Sequence, residues 1–335
     1  MGEDKKVENK EKNEVETKAS QSIEDIKLPG IGKVTIDKLK AAGFTDMASI
    51  AASSPTDLSV ATGLSETMAA KIINAVREYL GLLDFETADK ILEKRKKIKR
   101  ITTGSKAFDN ILDGGIETGA ITEIFGSYGS GKTQIAHMLS INVQLPEDKG
   151  GLERPAYYID AEGTFRPERI AEICKHRGLD EQKILKNIYV TRVFTSDHQE
   201  AVLRKIEDRI RKGEIKPGLV VVDSIMSHLR TEYVGRGELA ERQSKLKEQL
   251  MILKRIAEVY DVAVLITNQV QARPDIMFGK PMDAIGGHVL AHASTYRIWI
   301  RKAKEDKRIV RIIDSPYTPE VEAVFRITSA GIEDV

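Results

Sequence analysis

The order of apolar and polar positions divides the chain into four stretches of different texture. Residues 1–22 are Lys, Glu and Asn with almost no large apolar side chains. Burial there cannot offset the entropy of ordering, so the stretch reads as a disordered charged tail. From Ile23 to Leu80 apolar residues recur at helical spacing. LPGIGKVTIDKLKAAG sets Ile36, Leu39 and Ala41 behind a Pro-Gly-x-Gly turn. SSPTDLSVATGLSETMAAKIINAVREYL repeats the idea as a short helix, a turn at Thr62-Gly63 and a longer helix that either Thr62 or Ser65 caps. The spacing predicts a small all-helical domain of four or five helices over 23–80. Residues 81–100, GLLDFETADKILEKRKKIKR, read as a connector with one exposed aromatic, Phe85, and a basic run from Lys94 to Arg100.

From Ile101 to Val335 short β-branched runs alternate with amphipathic helices. ITEIFG (121–126), AYYIDAE (156–162), NIYVTRVF (187–194), GLVVVD (218–223) and AVLITNQ (263–269) have the pattern of buried strands. QEAVLRKIEDRIRKG (199–213) and ELAERQSKLKEQLMILKRIAEVYD (238–261) have that of helices, the first closed by Gly213. Such alternation predicts an α/β core on a mostly parallel sheet. YRIWIRKA, KRIVRIID and AVFRIT, within 296–328, have no helices between them and predict an antiparallel extension.

Composition narrows the function classes. The 335 residues suit two domains, and an apolar fraction of 41% supports a sizeable core. Lys and Arg total 52 against 51 Asp and Glu, a net charge of +1, which excludes a uniformly basic nucleic-acid coat or an acidic tail protein. Any DNA-binding cations must therefore be concentrated locally. Cys174 is the one cysteine, so neither an intrachain disulfide nor a cysteine-based zinc site is expected, and a reducing intracellular compartment fits. No apolar run reaches the length of about 18 residues that a membrane span needs. The amino terminus has no apolar stretch of the kind a signal peptide carries.

The clearest chemistry is Gly126-Ser127-Tyr128-Gly129-Ser130-Gly131-Lys132-Thr133, a full match to the phosphate-binding loop G-x-x-x-x-G-K-[ST]. Its glycines let backbone N–H groups converge on phosphate oxygens, Lys132 adds a point charge, and the Thr133 hydroxyl can ligate Mg2+. A β-run precedes the loop and the amphipathic KTQIAHMLSINVQL follows, so a helix start also faces the anion. Asp223, closing an apolar strand, is the expected partner for Mg2+, held through water. Glu162, closing AYYIDAE, is the candidate that orients the attacking water. Asp160, two residues earlier, is its competitor but lies deeper. Gln269, ending AVLITNQ at the same sheet edge, is placed to sense the γ-phosphate.

Two further stretches are Gly-rich and irregular. RTEYVGRGELAERQ (230–243) holds Arg230, Tyr233, Arg236 and Arg242, and VQARPDIMFGKPMDAIGGHVLAHAS (270–294) reads as a loop of some two dozen residues. Arg with Gly and an aromatic suits a channel that tracks the backbone of single-stranded nucleic acid, and a mobile solvated loop suits it equally. In the small domain, Gly30 and Gly32 present backbone amides at a helix start, a geometry that accepts a DNA phosphate without reading sequence. A hairpin used only for packing is the alternative.

Assembled, these motifs resemble the strand-exchange recombinases of the RecA-like ATPases, the archaeal members with their eukaryotic relatives. LPGIG, FETA, ITTGSKAFDNILDGGIETGAITEIFG, GSGKTQ, DAEGTFRPERI, EYVGRGELAERQ, TNQVQARPD and IGGHVLAHAS carry the likeness over everything after the tail. The resemblance implies a RecA-like core over 101–335 and a helix-hairpin-helix DNA-binding domain over 23–80. It implies a linker over 81–100 in which Phe85 and Ala88 form the F-x-x-A polymerisation motif. It implies ATP with Mg2+, a monovalent cation such as K+ as a further option, and ATP contacts running from Gly126 through Gln134. Arg169 is similar to the adenine-stacking arginine, and Gln269 to the γ-phosphate sensor. His292 resembles the residue relaying nucleotide state to the second DNA loop. Asp314 and Pro319, in IDSPYTPE, resemble the cap that reaches ATP on the adjacent subunit. Arg230, Tyr233, Arg236 and Arg242 fall in the first DNA loop, Gly286 and Gly287 in the second. The implied partners are single- and double-stranded DNA, further copies of the chain in a helical filament or a ring, and recombination mediators, in the cytoplasm of an archaeal-type cell with no membrane role. Ser127, Tyr128 and Ala161 depart from the common pattern and remove no reacting group. Two rivals follow from the same core, a non-catalytic mediator and a ring helicase. The LPGIG domain and the intact DNA stretches weigh against the first, and the F-x-x-A linker against the second.

Overall fold

Behind Gly32 the helical spacing becomes four helices in a computed structural model that describes Ile23, residues 31–272 and residues 282–335. They are α1 (Lys33–Ala41), α2 (Met47–Ala51), α3 (Pro55–Thr62) and α4 (Glu66–Tyr79). Each of the last three starts on an oxygen cap. Asp46, Ser54 and Ser65 accept from the amides of Ser49, Asp57 and Met68, satisfying donors a helix start leaves open. Ser65 is thus the cap of α4, and Thr62 is the last residue of α3, which ends on left-handed Gly63. Leu39, Met47, Ile50, Leu58, Ile72 and Val76 fill the centre of this small core. The connector also differs from its sequence reading, because it contains α5 (Ala88–Arg95), a helix with no buried residue. By contact the chain forms two compact units, Met1–Lys97 with Asp208–Ile215, and Ile98–Glu207 with Lys216–Val335.

The described residues of the second unit include twelve strands. A two-stranded ribbon pairs β1 (Arg100–Ile101) with β2 (Ile116–Glu117), and α6 (Lys106–Ile111) lies between them in sequence. The main sheet holds β3 (Ile121–Gly126), β4 (Ala156–Asp160), β5 (Ile188–Arg192), β6 (Leu219–Asp223) and β7 (Ala263–Ala272). It continues with β8 (Met282–Ala284), β9 (Tyr296–Lys302), β10 (Lys307–Asp314), β11 (Glu322–Thr328) and β12 (Gly331–Asp334). Their order is β12-β11-β10-β9-β3-β7-β6-β4-β5, with β8 hydrogen-bonded to the end of β7. Pairing is parallel from β9 through β3, β7, β6 and β4 to β5, and antiparallel from β9 through β10 and β11 to β12. The antiparallel extension is therefore present, and its first strand also belongs to the parallel half. The other helices are α7 (Lys132–Asn142), α8 (Pro167–Arg177), α9 (Glu181–Lys186), α10 (Ser196–Arg211), α11 (Ser227–Glu232), α12 (Leu239–Tyr260) and α13 (Gly287–Ala293).

Several elements depart from the pattern-based expectation. NIYVTRVF is the outer strand of the sheet: beyond Ile188, the residues of β5 are exposed, so this run is not a buried strand. An edge strand needs only one covered face, and a short β-branched run alone cannot distinguish the two cases. AYYIDAE stops being strand at Asp160, which leaves Glu162 in the following bend. The helix expected from Gln199 begins at Ser196. Residues 230–243 are mostly helical, split between α11, a short turn at Arg236–Glu238 and α12. Within 270–294, β7 runs on to Ala272, and β8 and α13 account for much of the rest. No helix of the described residues is long and apolar enough to cross a membrane.

Candidate functional site

Parallel strands bring their carboxyl ends to one edge of a sheet, and the predicted reacting groups collect there. Gly126 of β3 is in register with Gln269 of β7, and Asp160 of β4 with Asp223 of β6. Between Gly126 and α7 the phosphate-binding loop is packed too tightly for side chains. A Cβ on Gly126 would stand 2.2 Å from the Ile300 carbonyl oxygen, and one on Gly131 would stand 2.6 Å from Ile327 Cδ1. Gly131 also has a φ of +115°, a left-handed conformation that glycine adopts without strain. Lys132 Nζ folds back onto this loop, donating to the carbonyls of Gly126 at 2.9 Å and Ser127 at 3.1 Å. Burial pushes its pKa down, while the carboxylates of Glu162 and Asp223 pull it the other way. Tyr128, at the loop apex, is exposed.

Asp223 is buried and stands at the centre of a hydroxyl cluster. Its carboxylate accepts from Thr133 Oγ1 at 2.8 Å, from Tyr158 Oη at 2.6 Å and from Thr267 Oγ1. Burial and the neighbouring Asp223 carboxylate raise the Tyr158 hydroxyl well above its ordinary range, so it stays a donor. Glu162 is oriented by two groups: Ser224 Oγ at 3.0 Å and Gln269 Nε2 at 3.1 Å both donate to Oε1. Asp160, the competitor, is occupied by the turn itself. Its carboxylate accepts from the amides of Gly163, Thr164 and Phe165 at 2.7, 3.1 and 3.3 Å. That leaves Glu162 as the carboxylate free to face the loop edge. Tyr158, Ser224 and Thr267 were absent from the sequence-based site, and only their places near the ends of β4, β6 and β7 hinted at it.

Arg169, on α8, is tied to the same neighbourhood. Its Nε donates to Gln134 Oε1 at 2.8 Å, and its other nitrogens reach Glu172 and the carbonyls of Thr328 and Ser329. The structure thus brings together Lys132, Thr133, Gln134, Glu162, Arg169, Asp223 and Gln269. It does not bring His292, Asp314 or Pro319 to them. His292 is exposed near the end of α13, three residues before Thr295, whose amide bonds the Ile121 carbonyl at the start of β3. Asp314 pairs with Arg297 near the start of β9. The far ends of β3, Ile121 and Gly126, are about 17 Å apart. All three residues therefore lie at the opposite sheet edge from their own phosphate loop.

Of the residues assigned to the first DNA stretch, two lie on helices and two in the segment that joins them. Arg230 is exposed on α11, Tyr233 follows that helix, and Arg242 is on α12 with Nη1 3.5 Å from the Tyr233 carbonyl. Arg236 begins the turn before α12. Glu232 anchors the stretch, accepting from the amide and hydroxyl of Ser196 at the start of α10, an anchor the sequence did not reveal. In the second stretch Gly286 and Gly287 start α13 with φ of +110° and +62°, and Gln243 Nε2 donates to the Gly286 carbonyl at 3.4 Å. Gly32 precedes α1 with an exposed backbone, whereas Gly30 lies outside the described residues. Phe85 is 103% exposed, and Ala88 opens α5. No cluster of three or more His, Cys, Asp or Glu that would hold a metal by itself occurs among the described residues.

A glycine-rich loop between a central strand and a helix, with a strand-end Asp bonded to its threonine and a nearby Glu held by Ser224 and Gln269, defines a P-loop ATPase on a mostly parallel sheet. Residues 94–335 match the Rad51 family, and residues 24–78 match the SAM-like helix-hairpin-helix tandem. Over 315 residues the chain is 51% identical to the DNA repair and recombination protein RadA of Aeropyrum pernix, an alignment covering 94% of this chain and 98% of that relative. The chain belongs to the Rad51 family, the DNA-dependent ATPase recombinases with a RecA-like core. Membership carries ATP binding, DNA binding and filament formation with it.

Proposed function

We propose that this recombinase acts in DNA repair by polymerising on single-stranded DNA and carrying out homologous pairing and strand exchange, with ATP held at the seam between neighbouring copies. One observation carries the reading: the phosphate loop and the cap residues occupy opposite edges of one sheet. A chain so built cannot close its own nucleotide site. Stacked head to tail, the edge bearing His292, Asp314 and Pro319 meets the next copy's edge bearing Lys132, Glu162 and Gln269. Such an interface repeats without closing unless its rotation forms a ring. Phe85, flanked by exposed Leu82 and Leu83, is the anchor that links copies, together with Ala88.

In that site the backbone amides of Gly126–Thr133 and the Lys132 ammonium cradle the phosphates, and Arg169 packs against the base. Thr133 and Asp223 offer a hydroxyl and a carboxylate, hard oxygen donors suited to Mg2+, with nucleotide phosphates supplying further oxygens. Bound there, Mg2+ neutralises charge that develops on the β- and γ-phosphates. Glu162, held by Ser224 and Gln269, accepts a proton from the water that attacks the γ-phosphate in line. A monovalent cation such as K+ is a further cofactor option with no site assigned. Gln269 meets the γ-phosphate and shares β7 with the second DNA stretch, so nucleotide and DNA contacts are neighbours along one strand. Arg230, Tyr233, Arg236, Arg242, Gly286 and Gly287 hold the single strand, and Gly30 and Gly32 meet duplex phosphates. Recombination mediators bind the assembled form, in the cytoplasm on the nucleoid.

The test combines ATPase measurement with imaging on single-stranded DNA. The expected result is turnover stimulated by the strand, with continuous filaments in a non-hydrolysable ATP analogue. Equal coverage of the strand with no nucleotide present would refute the seam.

A further inference from the structure

Glu123, in the middle of β3, has no part in the chemistry above, yet its carboxylate is wholly buried. One oxygen accepts from Asn268 Nδ2 at 2.9 Å, and the other accepts from Arg297 Nε at 2.7 Å. The Arg297 side chain is 12% exposed, and its guanidinium also lies 5.3 Å from the centre of the Phe125 ring. Asn268 is committed on its remaining sides. Its Nδ2 also donates to the Ile285 carbonyl, and its Oδ1 accepts from the amide of Gln269 at 2.8 Å. The Ile285 amide in turn donates to the Gln269 carbonyl at 3.1 Å.

The chemistry of the carboxylate gives this arrangement its direction. An ionised carboxylate only accepts hydrogen bonds, so the Asn268 side chain must turn its NH2 toward Glu123. Only then is Oδ1 left for Gln269 and the second N–H for Ile285. Replacing a buried ion pair by apolar side chains of similar volume is often neutral or stabilising, so the pair is weak evidence for a stabilising role. Its effect is positional. Glu123 sets the orientation of one amide, and that amide pins the residue expected to read the γ-phosphate to the residue that precedes Gly286. Arg297, which holds Glu123 from the other side, is in register with Asp314 of the cap.

We infer that Glu123 is the positioning residue coupling nucleotide to DNA binding: through Asn268 it makes Gln269 and the Ile285–Gly287 turn move as one piece. This rests on the reading of Gln269 as a γ-phosphate contact and of Gly286 and Gly287 as DNA contacts. Glu123→Gln has the same shape but can donate as well as accept, so Asn268 is free to flip and release both backbone groups.

The experiment uses the full chain and a fluorescein-labelled oligo(dT), with and without a non-hydrolysable ATP analogue. Wild type is expected to gain affinity for the oligonucleotide when the analogue is added. In Glu123→Gln that gain, and the stimulation of ATPase by the strand, fall by about tenfold. Glu123→Gln combined with Arg297→Gln, which leaves no unpaired buried cation, gives the same loss even where its melting temperature returns to the wild-type value. Recovery of stability with recovery of coupling would mean a structural role only and would overturn the inference, as would a folded Glu123→Gln that couples normally. Amide hydrogen exchange in wild type needs no variant. On adding the analogue, exchange at Gln269 and at 285–287 should slow by the same factor, and independent responses would also overturn the inference. Wild type whose DNA affinity ignores the analogue would instead refute the underlying reading of Gln269.

Discussion

His137 offers a sharp test of how dry the space beneath the phosphate loop is. It lies on α7, four residues after Thr133, and is 1% exposed. The imidazole is enclosed by Tyr158, with ring centres 5.9 Å apart, and Phe165, at 5.1 Å and nearly perpendicular. Burial lowers its pKa to about 4, against the opposing pull of Asp223 and Asp160. In the unfolded chain the same group titrates near 6.5. As pH falls below that value the unfolded chain takes up a proton that the native state refuses, so stability is complete above about 6.5 and declines toward pH 4. Linkage from these two values gives a loss of about 2 kcal/mol at pH 5, rising to about 3 kcal/mol below pH 4. Other groups also titrate in this range, so the comparison is with His137→Phe, which fills the aromatic pocket without a titrating nitrogen. Urea unfolding of the full chain at pH 7 and pH 5 should show the stability gap between variant and wild type widening by about 2 kcal/mol in favour of the variant. Parallel pH profiles for the two proteins would refute the reasoning, because they would mean that the imidazole charges as freely in the fold as in water.

Two further outcomes follow from the site and the linker. Glu162→Gln should lower kcat by about 10²–10⁴-fold with little change in affinity for an ATP analogue, and undiminished turnover would remove Glu162 from the reaction. Phe85→Ala should weaken self-assembly in light scattering by about 30-fold, the loss of roughly 2 kcal/mol typical of a buried aromatic anchor, and assemblies persisting at the same concentration would refute that linkage.

The parts of the site that were legible in the sequence are those whose chemistry is local. The phosphate loop is contiguous, and each of its glycines answers to a backbone requirement that the neighbouring residues announce. Asp223 drew notice as an acid closing an apolar strand beside such a loop, and the structure bonds it to Thr133, whereas Glu162, expected at a strand end, lies in the bend beyond Asp160. What escaped depends on partners far along the chain. Glu123 sits 145 residues from Asn268 and 174 from Arg297, and within ITEIFG it looks like one polar position in a buried strand. Asp160 was the competitor to Glu162, set aside as lying deeper, and the reason it is occupied, the turn at Gly163–Phe165 that claims its oxygens, depends on the folded chain. Arg and Gly around 230–243 suggested an irregular loop, but glycine is confined to 235 and 237, and the flanking residues are sound helix formers. Strand NIYVTRVF carries no mark in its own residues of lying at the edge.

The polarity of the sheet explains why the phosphate loop and the proposed cap residues stand at opposite edges of one chain. A parallel arrangement sends the carboxyl ends of β3, β4, β6 and β7 to a common edge, where the connecting segments supply phosphate-binding amides and strand-end acids. Adding β10 antiparallel to β9 reverses the chain, so its carboxyl end and the segment after it, with Asp314 and Pro319, come to the other edge. The α13–β9 junction delivers His292 to that edge too, because β9 runs parallel to β3 and must be entered from the same end. No side-chain rearrangement within one subunit spans the length of β3. If the site is completed by a second copy, as proposed, occupancy by ATP would stabilise the contact between copies by mass action, in proportion to how much better the two-sided site binds it than the open one. Nucleotide would then be a component of the assembly as well as its substrate, and hydrolysis, by removing the group proposed to meet Gln269, would act on the interface and on the turn at Ile285 through the same strand.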